Sequence, residues 1–458
     1  MSASSDENRR SRSASPPPSG AHRDLHLLVA GNVVSTFGNS LYLIAVTLLL
    51  KELTQSAFVL GVFQFLALSP GFFLSPITGA LIDRTSRLKV VVFSDLYRGV
   101  LMVGGGALLL IPALRTPWLV LPLSLAAGIG HAFFVPAAQA LLPSLVPPER
   151  LPAANGLRAG ASQAANLTGN AAGGALYVLL GAPMLFMLNG ITFLFSAWQE
   201  HCIRADGNAV PRVLLGQGVA PDDRVPLGQG VAPDDGVPSA PGASTARGAA
   251  ALRGVLSSAA AGISLIRSDR ALRLLVVSQA GLFAISPVLM LSLPFVVIDE
   301  LNLGEHALGV YFAAALAGGI GVFLALRGVS AEGLLRFRLP IAAYAVITVV
   351  FAAVAISITP VLLAVAAFLT GGAAAVVYLY TITWIQHRSG EEFHGRVFAI
   401  LEAATSLVAP VSYLLTGIVL EVLGSEQRWM AYGVVAAAAA VWTVILIVSW
   451  RPRRPTGE

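Results

Sequence analysis

Charged residues are scarce in this sequence of 458 residues. Asp, Glu, Lys and Arg together make up 12% of it, and 56% of the residues are hydrophobic. A typical soluble domain carries about 25% charged residues, so a soluble chain of this composition would have too little polar surface. The composition therefore indicates a membrane protein that crosses the bilayer several times.

Cysteine and the common chemical motifs are nearly absent as well. Cys202 is the one cysteine, so no internal disulfide can form, and we expect it to pack at a helix end. No cluster of Cys and His has the spacing of metal ligands, and the sequence has no Gly-x4-Gly-Lys-Ser/Thr loop for ATP. No nucleophile–base pair can be assembled either. We therefore predict that the protein is neither an enzyme nor an ATPase and uses no metal or cofactor.

Lysine occurs only at Lys51 and Lys89, so arginine supplies nearly all of the positive charge behind the net charge of +5. This bias is typical of a GC-rich genome rather than of nucleic-acid binding, and we predict no nucleic-acid partner. The first two dozen residues are polar, so no cleavable signal peptide is visible. Residues 1–24 are predicted to be a disordered tail.

Twelve apolar segments are long enough to cross a bilayer, for which a helix needs about 20 residues. They form two sets of six, which predicts an all-α membrane protein with two pseudo-symmetric bundles at 25–203 and 271–450. The first set lies near 27–50, 57–82, 89–111, 117–142, 152–180 and 182–203. The second set lies near 271–298, 305–327, 338–358, 360–386, 396–420 and 428–450.

Residues 204–250 between the two sets are rich in Gly, Pro, Ala and Asp and are predicted to be a disordered linker. They contain a tandem repeat, LGQGVAPDDRVP at 215–226 and LGQGVAPDDGVP at 227–238. We interpret the repeat as a replication-slippage product that a linker tolerates, with a docking segment as the alternative. Residues 251–270 have apolar residues at helical spacing and are predicted to lie on the membrane surface as an amphipathic helix. Residues 451–458 form a second tail.

The distribution of basic residues predicts the orientation in the membrane. If both termini lie on one side, the opposite side holds only Lys51, Arg115 and Arg428 of the 29 basic residues, while Arg98 and Arg158 fall inside spans. Loops rich in Lys and Arg face the cytoplasm. We therefore expect both termini and the linker on the cytoplasmic side of the cell membrane.

A charged segment, GALIDRTSRLKVVV at 79–92, joins the second and third predicted spans. Its spacing of Gly79, Asp83, Arg84, Arg87 and Lys89 resembles the loop signature of the major facilitator superfamily. Ser86 and Leu88 depart from that signature, which commonly has glycine and a basic residue there. Orientation in the membrane alone would explain the basic residues, but it does not call for the acid Asp83. Gly79 is expected to let helices approach closely.

Further segments resemble the branch of this superfamily that contains enterobactin exporters and macrolide efflux pumps. They are AGNVVSTFGNSLYLIAVTLLLKELTQSA at 30–57, FFVPAAQALLPSLVPPERLPAANGL at 133–157 and GRVFAILEAATSLVAP at 395–410. The resemblance implies two six-helix halves that rock about a site near the middle of the membrane. It also implies that the charged loop latches the halves on the cytoplasmic side, and that spans 1, 4, 7 and 10 line the central path.

Polar side chains in the spans are candidates for this path, because they are costly in lipid and tend to face a cavity or another helix. In the first span Asn32, Ser35, Thr36 and Asn39 share one helix face. Hydrogen bonds that only hold the helices together would give the same pattern. The other candidates are His131 and Gln139 in span 4, Gln163, Asn166 and Asn170 in span 5, Gln279 in span 7, and Tyr380 and Thr383 in span 10.

Carboxylates are few within the spans. Asp95 and Arg98 in the third span are three residues apart and are expected to pair. Glu402 in the eleventh lies where the resemblance places the contact between the charged loop and the other half. We hypothesise that Asp83, Arg87, Asp95, Arg98 and Glu402 form a cytoplasmic gate. Transport at the wild-type rate by Asp83→Asn and Glu402→Gln variants would contradict this hypothesis.

The resemblance predicts a secondary transporter that exports a small organic molecule, such as a drug, siderophore or other secondary metabolite, with protons as the coupling ion. Asn39 and Asn170 stand where relatives often have an acid and the antiporter proline, which argues against proton antiport and against a strongly cationic substrate. An importer of the same fold is one alternative. A membrane sensor without transport is another, since RGVSAEGLLRFR at 327–338 lacks the acid pattern of the first half. The expected partners are this substrate and the lipid bilayer, and the protein is expected to be a monomer.

Overall fold

The computed structural model describes residues 21–147, 150–204, 270–330, 338–388, 391–424 and 428–449. The tandem repeat, the predicted surface helix up to residue 269, residues 1–20 and residues 450–458 lie outside these ranges. Residues 21–24 form the start of the first helix instead of the end of the predicted disordered tail, so that part of the prediction is wrong. The described chain is built from α-helices joined by short turns.

Twelve α-helices form within the described ranges, with short 3-10 segments at Pro112–Leu114 and Glu305–Ala307 and a π-helical turn at Val296–Glu300. In the first half they are α1 Ala21–Thr54, α2 Ala57–Phe73, α3 Ser75–Arg84, α4 Arg87–Leu109, α5 Pro117–Leu145 and α6 Leu151–His201. In the second half they are α7 Arg270–Phe295, α8 Leu308–Leu326, α9 Leu339–Ile356, α10 Pro360–Arg388, α11 Glu391–Leu423 and α12 Arg428–Ser449.

The long helix α6 holds two of the predicted spans. Its backbone leaves the helical region at Gly181, with φ 74° and ψ 167°, a conformation that glycine adopts with little strain. We call residues 151–180 α6N and residues 182–201 α6C. The predicted separation of the fifth and sixth spans between residues 180 and 182 is therefore confirmed.

The second predicted span is also divided. The α2–α3 pair is bent by 49° at Leu74, between Pro70 inside α2 and a proline at the start of α3. Proline cannot donate the helical hydrogen bond, so such positions bend or end a helix. Ten helices are long and apolar enough to cross a membrane, or eleven spans when this bent pair counts as one. With α6 holding two spans, the described helices match all twelve predicted ones.

The helices pack as two halves. In the first half α1 lies against α6, and α4 packs between α5 and α6; in the second half α8 packs on α10, and α9 packs on α10 and α12. The halves meet where α2 contacts α11 and where α6 contacts α8. Large apolar side chains such as Trp118, Ile356 and Val361 are exposed on the outside of the bundle, as expected for a surface that faces lipid. The predicted two-bundle fold is confirmed.

Candidate functional site

A pocket lies between the two halves, where α1, α2, α7 and α8 converge. Its lining is apolar apart from the side chains of Thr47 and Gln64. Such a lining is complementary to a mostly apolar group, but its cavity volume of about 30 Å³ is well below the roughly 300–1,000 Å³ of pockets that enclose a drug-sized molecule, so the pocket is nearly closed in this conformation. The lining residues are Leu43, Ile44, Thr47 and Leu48 of α1, Leu60, Phe63 and Gln64 of α2, Met290, Leu291 and Pro294 of α7, and Leu308 and Phe312 of α8.

Polar contacts join the halves at one end of this pocket. The Lys51 Nζ near the end of α1 donates a hydrogen bond to Asp299 Oδ1 at 2.6 Å and stands 5.4 Å from the centre of the Phe295 ring. Lys51 is buried, with 4% of its surface exposed. The backbone N–H of Phe58 donates to Glu421 Oε2 of α11 at 3.3 Å, which places a negative charge at the N-terminus of α2. These contacts close the bundle at the end that carries the α1–α2 turn.

Glycines bring the helix backbones together at the same end. A Cβ built on Gly61 of α2 would stand 2.7 Å from the carbonyl oxygen of Tyr413 in α11, and Gly417 lies beside Gly61 in this contact. Gly309 of α8 packs as closely on the backbone of Ala171 in α6N. Small residues permit such close crossings in membrane bundles, so the closed end is tightly packed as well as polar.

The predicted loop signature lies at the opposite end. Gly79 lies within α3, and a Cβ there would meet nothing within 4 Å, so the expected close helix approach at Gly79 is wrong for this conformation. Arg87 opens α4, and its Nη1 donates to the Ala140 carbonyl oxygen of α5 at 3.1 Å, while Lys89 is exposed. The side chains of Asp83, Arg84 and Glu402 lie outside the described residues. The cytoplasmic gate therefore stays a prediction.

The predicted polar face of α1 leads towards the pocket. Asn39 is exposed and lies one and two helical turns before the lining residues Leu43 and Thr47, on the same side of the helix. Asn32 at the other end of this face donates from Nδ2 to Ser162 Oγ of α6N at 2.8 Å, which holds two helices together.

Two members of that face differ in exposure. Thr36 is half-buried. Ser35 is buried, and its hydroxyl donates to the Asn32 carbonyl oxygen at 3.2 Å. Packing leaves Ser35 no open surface in this conformation, and its place on the path stays a prediction.

The other path candidates separate by exposure. Asn170 and Tyr380 are buried in this conformation, and their place on the path stays a prediction. The Asn170 Nδ2 donates to Asn166 Oδ1 at 2.8 Å, and α6N stays helical there. The exposed candidates are His131, Gln139 and Gln163, and the half-buried ones are Asn166, Gln279 and Thr383.

A charged cluster is buried between α4 and α6C. Arg98 Nη2 donates to Asp95 Oδ1, which confirms the predicted pair. The guanidinium carbon of Arg98 stands 4.5 Å from the ring centre of Phe134 in α5 and 4.2 Å from that of Phe193 in α6C. A cation between two aromatic faces is stabilised by both rings.

A second carboxylate, Glu200, belongs to this cluster. It is fully buried, its Oε1 accepts a hydrogen bond from Ser196 Oγ at 3.3 Å, and it interacts electrostatically with Asp95 and Arg98. Glu200 escaped the sequence-based prediction because it lies at the very end of the sixth span. Its helical spacing from Phe193 and Ser196 could have placed it on the face towards α4.

The comparisons with known proteins agree with this architecture. The family model described as Major Facilitator Superfamily matches residues 28–361, which is most of the chain. The chain belongs to the major facilitator superfamily. The matched range includes the loop signature, the buried charged cluster and the pocket residues of α1, α2, α7 and α8. As a member of this superfamily, the protein is a membrane transporter.

Curated relatives match a shorter part of this superfamily member. Macrolide efflux protein A of Streptococcus pyogenes is 34% identical over 125 residues, which are 27% of this chain and 30% of that protein. Lysophospholipid transporter LplT of Pectobacterium carotovorum subsp. carotovorum (strain PC1) is 28% identical over 154 residues, which are 34% of this chain and 36% of that protein. These alignments span about a third of each relative's length.

Solved structures match nearly the whole chain. A bacterial homologue of the human lysosomal transporter Spinster, in an inward-facing and occupied conformation, covers 95% of this chain and 100% of its own, with a TM-score of 0.64 and 11% identity. At this identity the likeness establishes the shared fold. Among the described residues, no group of three or more His, Cys, Asp or Glu is placed to hold a metal ion.

Proposed function

We propose that this protein exports a small, mostly apolar organic molecule across the cell membrane by alternating access, with protons as the coupling ion. The observation that carries the proposal is the apolar lining between the halves, in which Thr47 and Gln64 supply the polar side chains; the cavity would have to widen to take up substrate. A charged substrate group would be costly against this surface. The substrate class is therefore a neutral or amphiphilic drug, siderophore or secondary metabolite. Export is supported by the name of the macrolide efflux relative.

The closed end supports a stage of the transport cycle. In this proposal both termini lie on the cytoplasmic side, so the Lys51–Asp299 contact lies on the extracellular side and supports an inward-facing state. An exporter in this state takes up substrate from the cytoplasm or the inner leaflet. Rocking of the halves would then break the sealed end and form a new seal near the loop at 79–92.

A metabolite comparison tests the proposed direction. Metabolites inside cells and in the medium are compared between a deletion strain and its complemented parent. A compound trapped inside the deletion strain is the expected result and names the substrate class. A nutrient left unused in the medium would indicate an importer. No difference, with the protein shown to be expressed, would indicate a sensor or scaffold. Lysophospholipids belong among the compounds measured, because one relative is named for them.

A matched pair of threonine variants tests the pocket. Thr47 and Thr348 each donate to a carbonyl oxygen of their own helix at 2.8 Å, but only Thr47 lines the pocket. Thr47→Val removes a polar contact for substrate, so we expect about fivefold weaker apparent affinity, the effect of about 1 kcal/mol for one hydrogen bond. Thr348→Val should match the wild type. Equal affinities for Thr47→Val and the wild type would place the substrate elsewhere.

A further inference from the structure

The buried cluster between α4 and α6C has an unbalanced charge. It holds two carboxylates, Asp95 and Glu200, and one guanidinium, Arg98, and all three are buried. The ionised cluster would carry one excess negative charge in a region of low dielectric. An uncompensated buried carboxylate costs several kcal/mol, so the cluster needs one further positive charge.

Unpartnered oxygens show where that charge is missing. Asp95 Oδ2 and Glu200 Oε2 are buried and have no hydrogen-bond partner, although most buried polar atoms have one. The Ser196 hydroxyl donates to Glu200 Oε1 at 3.3 Å, which leaves Glu200 Oε2 and Asp95 Oδ2 without a donor. A carboxylic acid has a donor that a carboxylate lacks, so one added proton would supply a hydrogen bond and neutralise the charge together.

The other groups around the cluster do not supply the charge. His131 of α5 places its Nδ1 3.5 Å from Arg98 Nη1, so a positive imidazole there would be repelled by the guanidinium. Helix α1 presents Gly31 to Ser196, and its acid Asp24 accepts from the backbone N–H of Arg204 after α6C at 3.3 Å. Among the residues that the structure describes, the contacts place four charged or titratable groups at the cluster: Asp95, Arg98, His131 and Glu200.

We propose that Asp95, Arg98 and Glu200 form a proton-binding site in which the two carboxylates share one proton. This deepens the proton-coupled export proposed above, and only its role in coupling rests on that function. The direct Arg98–Asp95 bond occupies one of the carboxylate oxygens. A bound metal cation would need several further oxygen ligands, so the site favours a proton.

The location of the site links it to movement of the halves. Asp95 lies two turns, about 12 Å, into α4 from Arg87, which opens that helix and belongs to the charged segment at 79–92. Helices α4 and α6C cross at Gly99 and Gly190, whose backbones leave no room for a side chain. With the proton bound, the neutral cluster supports this tight crossing. Loss of the proton leaves a net negative charge there, which favours a conformation that admits water.

Infrared difference spectroscopy of the purified full-length protein in liposomes tests proton binding without any substrate. At neutral pH the wild type should show the carbonyl absorption of a buried protonated carboxylic acid, which disappears at alkaline pH. Glu200→Gln should abolish this absorption, because glutamine mimics the neutral acid and keeps the fold. Glu52→Gln, which alters an exposed glutamate, should leave it unchanged. No such absorption in the wild type, or its persistence in both Glu200→Gln and Asp95→Asn, would overturn the site.

Two further results decide the chemistry and the coupling. Loss of the absorption on adding sodium ions at constant pH would show that the site takes a metal cation, which overturns the proposal. Liposomes with the Glu200→Gln variant should still equilibrate the exported compound across the membrane. Under a proton gradient, however, they should accumulate at least tenfold less of it than wild-type liposomes. Undiminished accumulation would overturn the coupling role. If wild-type liposomes accumulate nothing under the gradient while the absorption behaves as expected, proton-driven export fails and the proton site stands.

Discussion

Arg98→Leu should unfold at a markedly lower temperature than the wild type, with a loss of about 3–5 kcal/mol, the effect of breaking a buried ion pair by removing one partner. The substitution leaves Asp95 and Glu200 with no cation between them. It also removes the contacts of the guanidinium with the Phe134 and Phe193 rings. The effect is measured by heating the purified protein in detergent and recording, at each temperature, the fraction that remains monodisperse.

Two further variants separate charge from packing. Arg327 ends α8 and is exposed, so Arg327→Leu should change stability by less than about 0.5 kcal/mol. Arg98→Leu combined with Asp95→Leu and Glu200→Gln should recover most of the loss, because no buried charge then remains and replacing a buried ion pair by neutral residues is often neutral for stability. If Arg98→Leu unfolded at the temperature of Arg327→Leu, the cluster would contribute nothing to the fold.

The fold could be predicted from the sequence because its signals are local. An apolar run of the length of a bilayer predicts a span wherever it occurs, and all twelve predicted spans match described helices. The break at Gly181 was also predicted, from a glycine between two such runs. The bend at Leu74 was not, because the apolar run continues through it and the prolines on either side do not fix where a helix breaks.

The site could be predicted only where its contacts are local. Asp95 and Arg98 pair within one helix face, a spacing visible in the sequence. Glu200 joins them from a helix about a hundred residues later, and nothing in the sequence states which face of α6C meets α4. The same limit applies to the role expected for Gly79. Close crossings form at Gly61 and Gly309 instead, because the partner helix decides which glycine is needed.

Lys51→Met should open the sealed end of the bundle. Lys51 and Asp299 are 248 positions apart and join the two halves, so this bond exists only while that end is closed. Methionine keeps the apolar stem of the buried lysine but removes the charge. The pair is half open to solvent, since the Asp299 side chain is 39% exposed, and exposed pairs contribute little. We expect a shift of about 1.4 kcal/mol, which is tenfold in the ratio of the two conformations.

Cysteine labelling measures this shift and tests the orientation at the same time. With Cys202→Ser as background, Thr47→Cys places a thiol in the pocket beneath the seal, and a membrane-impermeant maleimide is added to intact cells. Lys51→Met should raise the labelling rate about tenfold, and the combination of Lys51→Asp with Asp299→Lys should restore it towards the wild-type rate. The other lysine offers a matched control, because Lys89 is exposed at the opposite end and Lys89→Met should not raise labelling. An increase seen only in everted vesicles would reverse the assigned orientation, and an unchanged rate in both preparations would show that the Lys51–Asp299 bond does not hold the halves closed.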